Sequence, residues 1–269
     1  MNSTDTLLLT VPLGTEAHRI ARRLAAEAMQ LAAPARREVG KRVYLNALAV
    51  YAVHSYLKWL AYETDISQGD CWHPVVRSRW DVADLLIPGV GRLECRPVWE
   101  GERAFAVPAE VMEDRIGYVA VQFGEQLDRA TLLGFAPAVA ASTLPVQLRV
   151  ADLQSLDALM EYLYRLEVAN EFLQGDDSVA LRVREVLESR SMWEIVAQLE
   201  RVYRIEPEDE RPYAVKDILT GNVVGVGSDS KAGRDSVHRE SLAEDDEDEI
   251  ELLELAEELV EKLQEIWRE

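Results

Sequence analysis

Two patterns of hydrophobic and polar positions divide the chain. From Asp81 to Phe135, short apolar runs of strand length are separated by turn chemistry, whereas on either side apolar residues recur at helical spacing. The first turn of the strand region is Pro88-Gly89-Val90-Gly91, where proline presets φ and glycine takes positive φ at little cost. Beyond it Leu93, Cys95 and Pro97 alternate with Arg92, Glu94 and Arg96, which predicts a strand with one apolar face and one charged face. Arg103–Val107, Ile116–Phe123 and Ala130–Phe135 read as further strands, with Pro108–Asp114 as a short helical crossing. Leu7–Leu13 reads as a strand that Pro12 confines to an edge or an end.

The helical spacing begins at Glu16–Leu31, with Ile20, Leu24, Ala25 and Met29 on one side and Arg19, Arg22 and Arg23 on the remaining arc. A longer helix is predicted over Glu38–Tyr62. Its middle, Ala47–Val53, is apolar on every face, as in a helix buried on more than one side. Thr64–Arg79 reads as a connection containing Cys71-Trp72-His73-Pro74, and Pro137 and Pro145 bracket the exit from the strand region. Helices follow near Asp152–Glu167 and around Val183–Leu187. A third is predicted after Ser191-Met192-Trp193-Glu194, which has the form of a capping box. Gly221–Ala243 holds four glycines and four serines without apolar period and reads as a flexible linker. After six consecutive acids, Glu244–Glu249, comes a last amphipathic helix. Its stripe is Leu252, Leu253, Ala256, Leu259, Val260, Leu263, Ile266 and Trp267.

The pattern predicts an α+β fold: an antiparallel β-meander backed by a long core helix, then a helical layer, then a tethered acidic helix. The expected divisions are a core domain over 1–145, a helical region over 146–220, a linker over 221–243 and the acidic helix over 244–269.

Charge sharpens this picture at one end only. The 269 residues carry a formal net charge of −20, of which the stretch 244–269 contributes −11, with thirteen acids against two bases. A globally acidic chain repels phosphates, so direct nucleic-acid binding is not expected. A basic protein partner is. The segment MNSTDTLLLTVPLG has no basic start, and its apolar run is broken by Thr10 and Pro12, so it reads as a strand and not as a signal peptide. No apolar run approaches the length a membrane helix needs, and a cytoplasmic setting is expected, with the two cysteines reduced.

Candidate chemistry is sparse. Cys71, His73, Cys95 and His54 form the one set with nucleophile or metal potential, and His18 and His238 stand apart from it. Cys71-x-His73 lacks the paired spacing of a structural zinc site, Cys95 falls on the apolar side of its strand, and His54 falls on the core helix. A structural role is favoured over a Cys–His pair or a metal. Asp81, Asp84 and Glu94 flank the first hairpin; facing carboxylates can do acid–base work, but a solvent face or cross-strand pairing with Arg92 and Arg96 explains them as well. Glu113-Asp114-Arg115 is expected to cap a short helix and pair locally. Gly89-Val90-Gly91 has no following helix, so it is no phosphate loop, and there is no Gly-x-Ser-x-Gly elbow. No cofactor and no metal are expected.

Several blocks together carry a resemblance. Tyr44-Leu45-Asn46 with its helix, Cys71-Trp72-His73-Pro74-Val75, Asp81–Leu85, Gly91–Val98, Asp114–Gln122 and Ala130–Phe135 occur in an order that resembles the largely cyanobacterial domain-of-unknown-function family eighteen twenty-two. The resemblance spans roughly Leu7–Pro145, more loosely the helical part to Thr220, and leaves out the acidic tail. It implies no catalytic residues. It implies a regulatory or stress-response setting, because such proteins are often encoded beside extracytoplasmic-function-type sigma factors and caspase-like CHAT proteases.

The expected function is therefore non-enzymatic: a regulatory protein–protein interaction module that holds a sigma factor or similar basic partner. Leu252, Leu253, Leu259, Val260, Leu263, Ile266 and Trp267 are the candidate contact residues, the alternative being that their stripe folds back on the chain's own domain. One alternative is a target cut in the linker by a CHAT-type protease at Lys231, Arg234 or Arg239, since exposed flexible segments are where nicking concentrates. A second is a Cys–His hydrolase.

Overall fold

Small residues on one face let the first two helices approach closely. In the computed structural model, which describes residues 9–32, 35–109, 115–138, 145–189, 255, 258–259 and 261–268, a short strand β1 (Leu9–Pro12) leads into α1 (Thr15–Leu31). Ala17, Ala21, Leu24, Ala25 and Ala28 are the buried face of α1. Helix α2 (Arg36–Trp59) buries Leu45 through Val50, then Ala52, Val53, Tyr56 and Leu57, so its middle is enclosed all round, as its composition predicts. Gly40 marks the closest approach: a Cβ there would lie 2.6 Å from Met29 Sδ of α1.

After α2 comes a single 3-10 turn at Asp70–Trp72, then α3 (Pro74–Arg79), whose first position is a proline suited to a missing donor. The strands are β2 (Asp84–Ile87), β3 (Gly91–Trp99), β4 (Ala104–Val107), β5 (Arg115–Phe123), β6 (Arg129–Pro137) and β7 (Val146–Arg149). Helices α4 (Leu156–Gln174) and α5 (Ser178–Ser189) follow. The predicted third helix after Ser191 and the linker lie outside the described residues. The chain divides into two compact units, Met1–Met160 and Glu161–Glu269.

The α+β expectation holds, but the meander does not. Five strands form one mixed sheet in the order β1-β6-β5-β3-β2, and β3 pairs with β5 in parallel. The reason lies in β4. An antiparallel meander needs β4 between its sequence neighbours, yet β4 leaves the sheet and pairs antiparallel with β7, Phe105 opposite Leu148. The chain must then cross over before β5, and β5 enters beside β3 in the same direction. The ribbon β4–β7 packs its own small core onto the sheet through Val98, Phe105, Val107, Tyr118 and Ala138.

One glycine is fixed by geometry. Gly134 has φ +142°, sits at the register shift between β5 and β6, and would place a Cβ 2.3 Å from the Gln154 carbonyl oxygen. There Phe135 and Gln154 exchange backbone hydrogen bonds of 3.0 and 2.8 Å, fastening the chain after β7 to the sheet edge. Gly134→Val is expected to lower stability by about 1–3 kcal/mol through backbone strain alone. Urea denaturation reads this, and an unchanged midpoint would contradict the assignment of the bulge.

Candidate functional site: a buried ionic network beside an open cleft

The charged side of β3 is not a solvent face. Asp84 and Glu94 are 0% exposed, Arg115 1% and Arg96 6%, which overturns the solvent-face reading, while the cross-strand pairing of Arg92 with Asp84 is present. The Thr64–Arg79 connection covers that side: the N–H groups of Asp70 and Cys71 donate to the two Asp84 carboxylate oxygens at 2.7 and 2.8 Å. Gly69 allows the approach, since a Cβ there would stand 2.6 Å from the Asp84 carbonyl oxygen.

Glu94 is the centre. Its Oε1 accepts from the Ala83 N–H at 2.7 Å and from Arg96 at 3.1 Å, and its Oε2 accepts from Arg115 Nε at 3.1 Å. Arg96 continues to Asp81 at 2.9 Å, and Asp81 accepts from Asn46 of α2 at 2.8 Å. Arg115 reaches Asp70 at 3.3 Å, and Arg92 donates to Asp84 at 2.6 Å. Arg115 pairs across the sheet, because β5 lies against β3 in parallel and brings it beside Glu94. Glu113 and Asp114 lie outside the described residues. Elsewhere in the same unit Arg77, itself buried, bridges the Trp72 carbonyl and Glu27, tying α3 to α1.

The carboxyls respond differently to burial. For Asp84 burial alone raises the pKa, but Arg115, the Cys71 and Asp70 N–H groups and Arg92 together hold it below the usual range. Asp81 is likewise lowered, with burial opposed by Arg96 and Asn46. Glu94 is raised: burial dominates, Arg96 and Arg115 pull it back, and the charge of Asp84 adds to the rise.

The residues with nucleophilic or metal-binding potential are not assembled into a site. The Cys71 thiol is buried, donates to the Asp84 carbonyl oxygen at 3.3 Å, and is pushed well up by burial and then by Asp84 and Glu94. Cys95 is also buried and is raised by burial and then by Glu94 and Asp84. His73 is exposed at the start of α3. His54 bonds Thr64 at 2.6 Å, with burial lowering its pKa, and His18 bonds Tyr44 at 2.7 Å. His238 lies outside the described residues, as do Lys231, Arg234 and Arg239. Among the described residues no group of three or more His, Cys, Asp or Glu is placed to hold a metal ion, and no helix is long and apolar enough to cross a membrane.

Beside the network lies a cleft of about 440 Å³. It is walled by Arg42, Leu45 and Asn46 of α2, which share one helix face at i, i+3 and i+4, by Asp81, and by Arg96, Pro97 and Trp99 at the end of β3; Glu102, β4 and Gln147 of β7 close it. This end of β3 is an edge, because β2 stops pairing at Glu94. The Cys95 N–H is taken by the Ala83 carbonyl at 2.7 Å, Pro97 has none, and the Trp99 N–H is capped by Glu102 at 2.7 Å. Such an edge offers little to an added strand. Sequence reading missed this cleft. Asn46 was the available signal, a lone amide heading an apolar run, since a buried amide needs partners.

In the second unit, the terminal helical residues lie against α4 and α5. Glu258 pairs with Arg182 of α5 at 2.8 Å, and the Arg165 guanidinium of α4 stands 5.9 Å from the Trp267 ring centroid. Leu255, Leu259 and Leu263 are buried, Ile266 and Trp267 half-buried, and Glu258, Glu261 and Glu265 exposed. Leu252, Leu253 and Val260 lie outside the described residues.

A family profile described as Protein of unknown function (DUF1822) matches residues 11–200, well over half of the chain. The chain belongs to the DUF1822 family. No curated protein and no solved structure matches it. The DUF1822 match takes in the mixed sheet from Val11 onward, the ionic network and the cleft, and the terminal helix lies beyond it.

Glu94→Ala leaves Arg96 and Arg115 buried without their shared carboxylate and is expected to cost about 3–5 kcal/mol; chemical denaturation measures it, and a loss near zero would contradict the pairing. The pH dependence has two signs. Asp81 and Asp84, lowered in the folded state, contribute stability that is present above their ordinary values near about 3.9 and is lost as pH falls through their folded values. Glu94, raised when folded, works the other way: stability rises as pH falls through its folded value towards about 4.3. A thermal-midpoint profile is expected to fall steeply below about pH 4, and Glu94→Gln is expected to remove the rise that precedes the fall. A wild-type profile flat through the acid range would contradict both assignments.

Proposed function

We propose that the protein is a non-enzymatic binding module whose terminal helix presents an acidic ridge to a basic regulatory partner. The observation that carries this reading is the orientation of that helix. Leu255, Leu259 and Leu263 are buried, so the exposed side is the one bearing Glu258, Glu261 and Glu265, with Lys262 and Arg268 beside them. Held in place by the Arg182 pair and the Arg165–Trp267 contact, an acidic surface of this kind steers a basic partner and fixes its register more than it adds affinity. The contact to the partner then runs through the acids, while the apolar stripe positions them.

The core supports a binding role from the other direction. Both thiols are buried, with burial pushing each well above the ordinary thiol value, and Asp81, Asp84 and Glu94 are each engaged by arginines or backbone N–H groups. A sigma factor is the partner class that the regulatory setting of the DUF1822 resemblance favours.

The test is titration of the full-length protein with a purified extracytoplasmic-function-type sigma factor encoded in the same genome, at several salt concentrations. Binding is expected to weaken with salt, and Glu261→Lys with Glu265→Lys is expected to slow association by about tenfold or more. Equal binding by the double variant and by a chain lacking 221–269 would overturn the proposal.

A further inference from the structure

We infer that the cleft between α2, the open end of β3 and the β4–β7 ribbon binds a small organic carboxylate with an apolar body. The inference stands apart from the acidic ridge, since every residue of the cleft lies within Met1–Met160. At about 440 Å³ the cleft has the size of a small-molecule site.

Its polar groups say what kind of ligand fits. Of the carboxylates in the wall, Asp81 is paired with Arg96 and Asn46, and the exposed Glu102 accepts from the Trp99 N–H. The two guanidiniums differ. Arg42 donates Nη2 to the Arg77 carbonyl at 3.1 Å, has no carboxylate within ion-pair distance among the described residues, and its Nε is buried without an acceptor. Arg96, 6% exposed, uses its Nη atoms on Asp81 and Glu94 and likewise leaves Nε buried without an acceptor. Arg96 is thus neutralised by two carboxylates, whereas Arg42, half-buried on the cleft wall, is a cation without one, and a planar guanidinium matches a carboxylate anion best.

The rest of the wall is apolar: Leu45, Pro97, Trp99 and Phe105. Lys41, exposed with its ammonium 5.7 Å from the Trp99 ring centroid, adds positive charge beside this surface. The carboxylate therefore sits towards Arg42, and the apolar body lies along Trp99 and Phe105.

Isothermal titration of the full-length protein with 3-phenylpropanoate, and with its neutral counterpart 3-phenylpropan-1-ol, tests the charge requirement. The carboxylate is expected to bind at one site, at least about tenfold more tightly than the alcohol. Arg42→Gln is expected to weaken the carboxylate by about tenfold and leave the alcohol unchanged. Trp99→Leu, which keeps the ionic wall, is expected to weaken both, with a preserved thermal midpoint showing that each variant is folded. No saturable binding by the wild type, equal binding of acid and alcohol, or full affinity in Arg42→Gln would each overturn the inference; the cleft then holds solvent only.

Discussion

Burying Glu94 between Arg96 and Arg115 is the constraint on which the rest of the first unit depends. A carboxylate with no exposure cannot keep its charge without partners, and the partners come from separate parts of the chain. Arg96 is on the same strand, Arg115 on the neighbouring parallel strand, and the Ala83 N–H at the entry to β2. Through Arg96 the network reaches Asp81 and Asn46 of α2, and through Arg115 and Asp84 it reaches the Asp70–Cys71 turn. Sheet, core helix and connection are thus held by one set of charges. Such a set adds little net stability over an apolar core of the same volume, but losing one member is costly. Its contribution is to geometry.

The cleft is a consequence of the same arrangement. Because β4 leaves the sheet to pair with β7, the outer end of β3 stays uncovered, and Pro97 with the Glu102 cap keeps it from pairing with another strand. Arg96 points its charge inward to Asp81 and Glu94, and α2 turns Arg42 and Asn46 towards the gap. The ionic core and the cleft therefore share Arg96, Asp81 and Asn46.

The helices were legible in the sequence because their signals are local. Ala47–Val53 announces enclosure without reference to anything else, and observed α2, Arg36–Trp59, departs from the expected Glu38–Tyr62 by two or three residues at each end. Strand positions were legible for the same reason. Strand pairing was not: whether Arg103–Val107 joins the sheet depends on Val146–Arg149, about forty residues away and too short and half-polar to read as a strand. The alternation of Arg92, Glu94 and Arg96 with apolar residues was read correctly as a two-faced strand, but nothing local states that the charged face is covered. That follows from Gly69 and the turn after it, and from Arg115 arriving on a parallel neighbour. The burial of Cys71 and Cys95, which pushes both thiols well above the ordinary value, likewise depends on covering elements that no local pattern states.

Amide hydrogen exchange at Asp70, Cys71 and Ala83 tests the central claim most directly. These three N–H groups lie outside helix and strand ladders, and their acceptors are the carboxylates of Asp84 and Glu94. The account predicts that at neutral pH they exchange as slowly as the amides of β3 and β5, opening only when the whole unit unfolds. Exchange at the rate of an ordinary surface loop would contradict it.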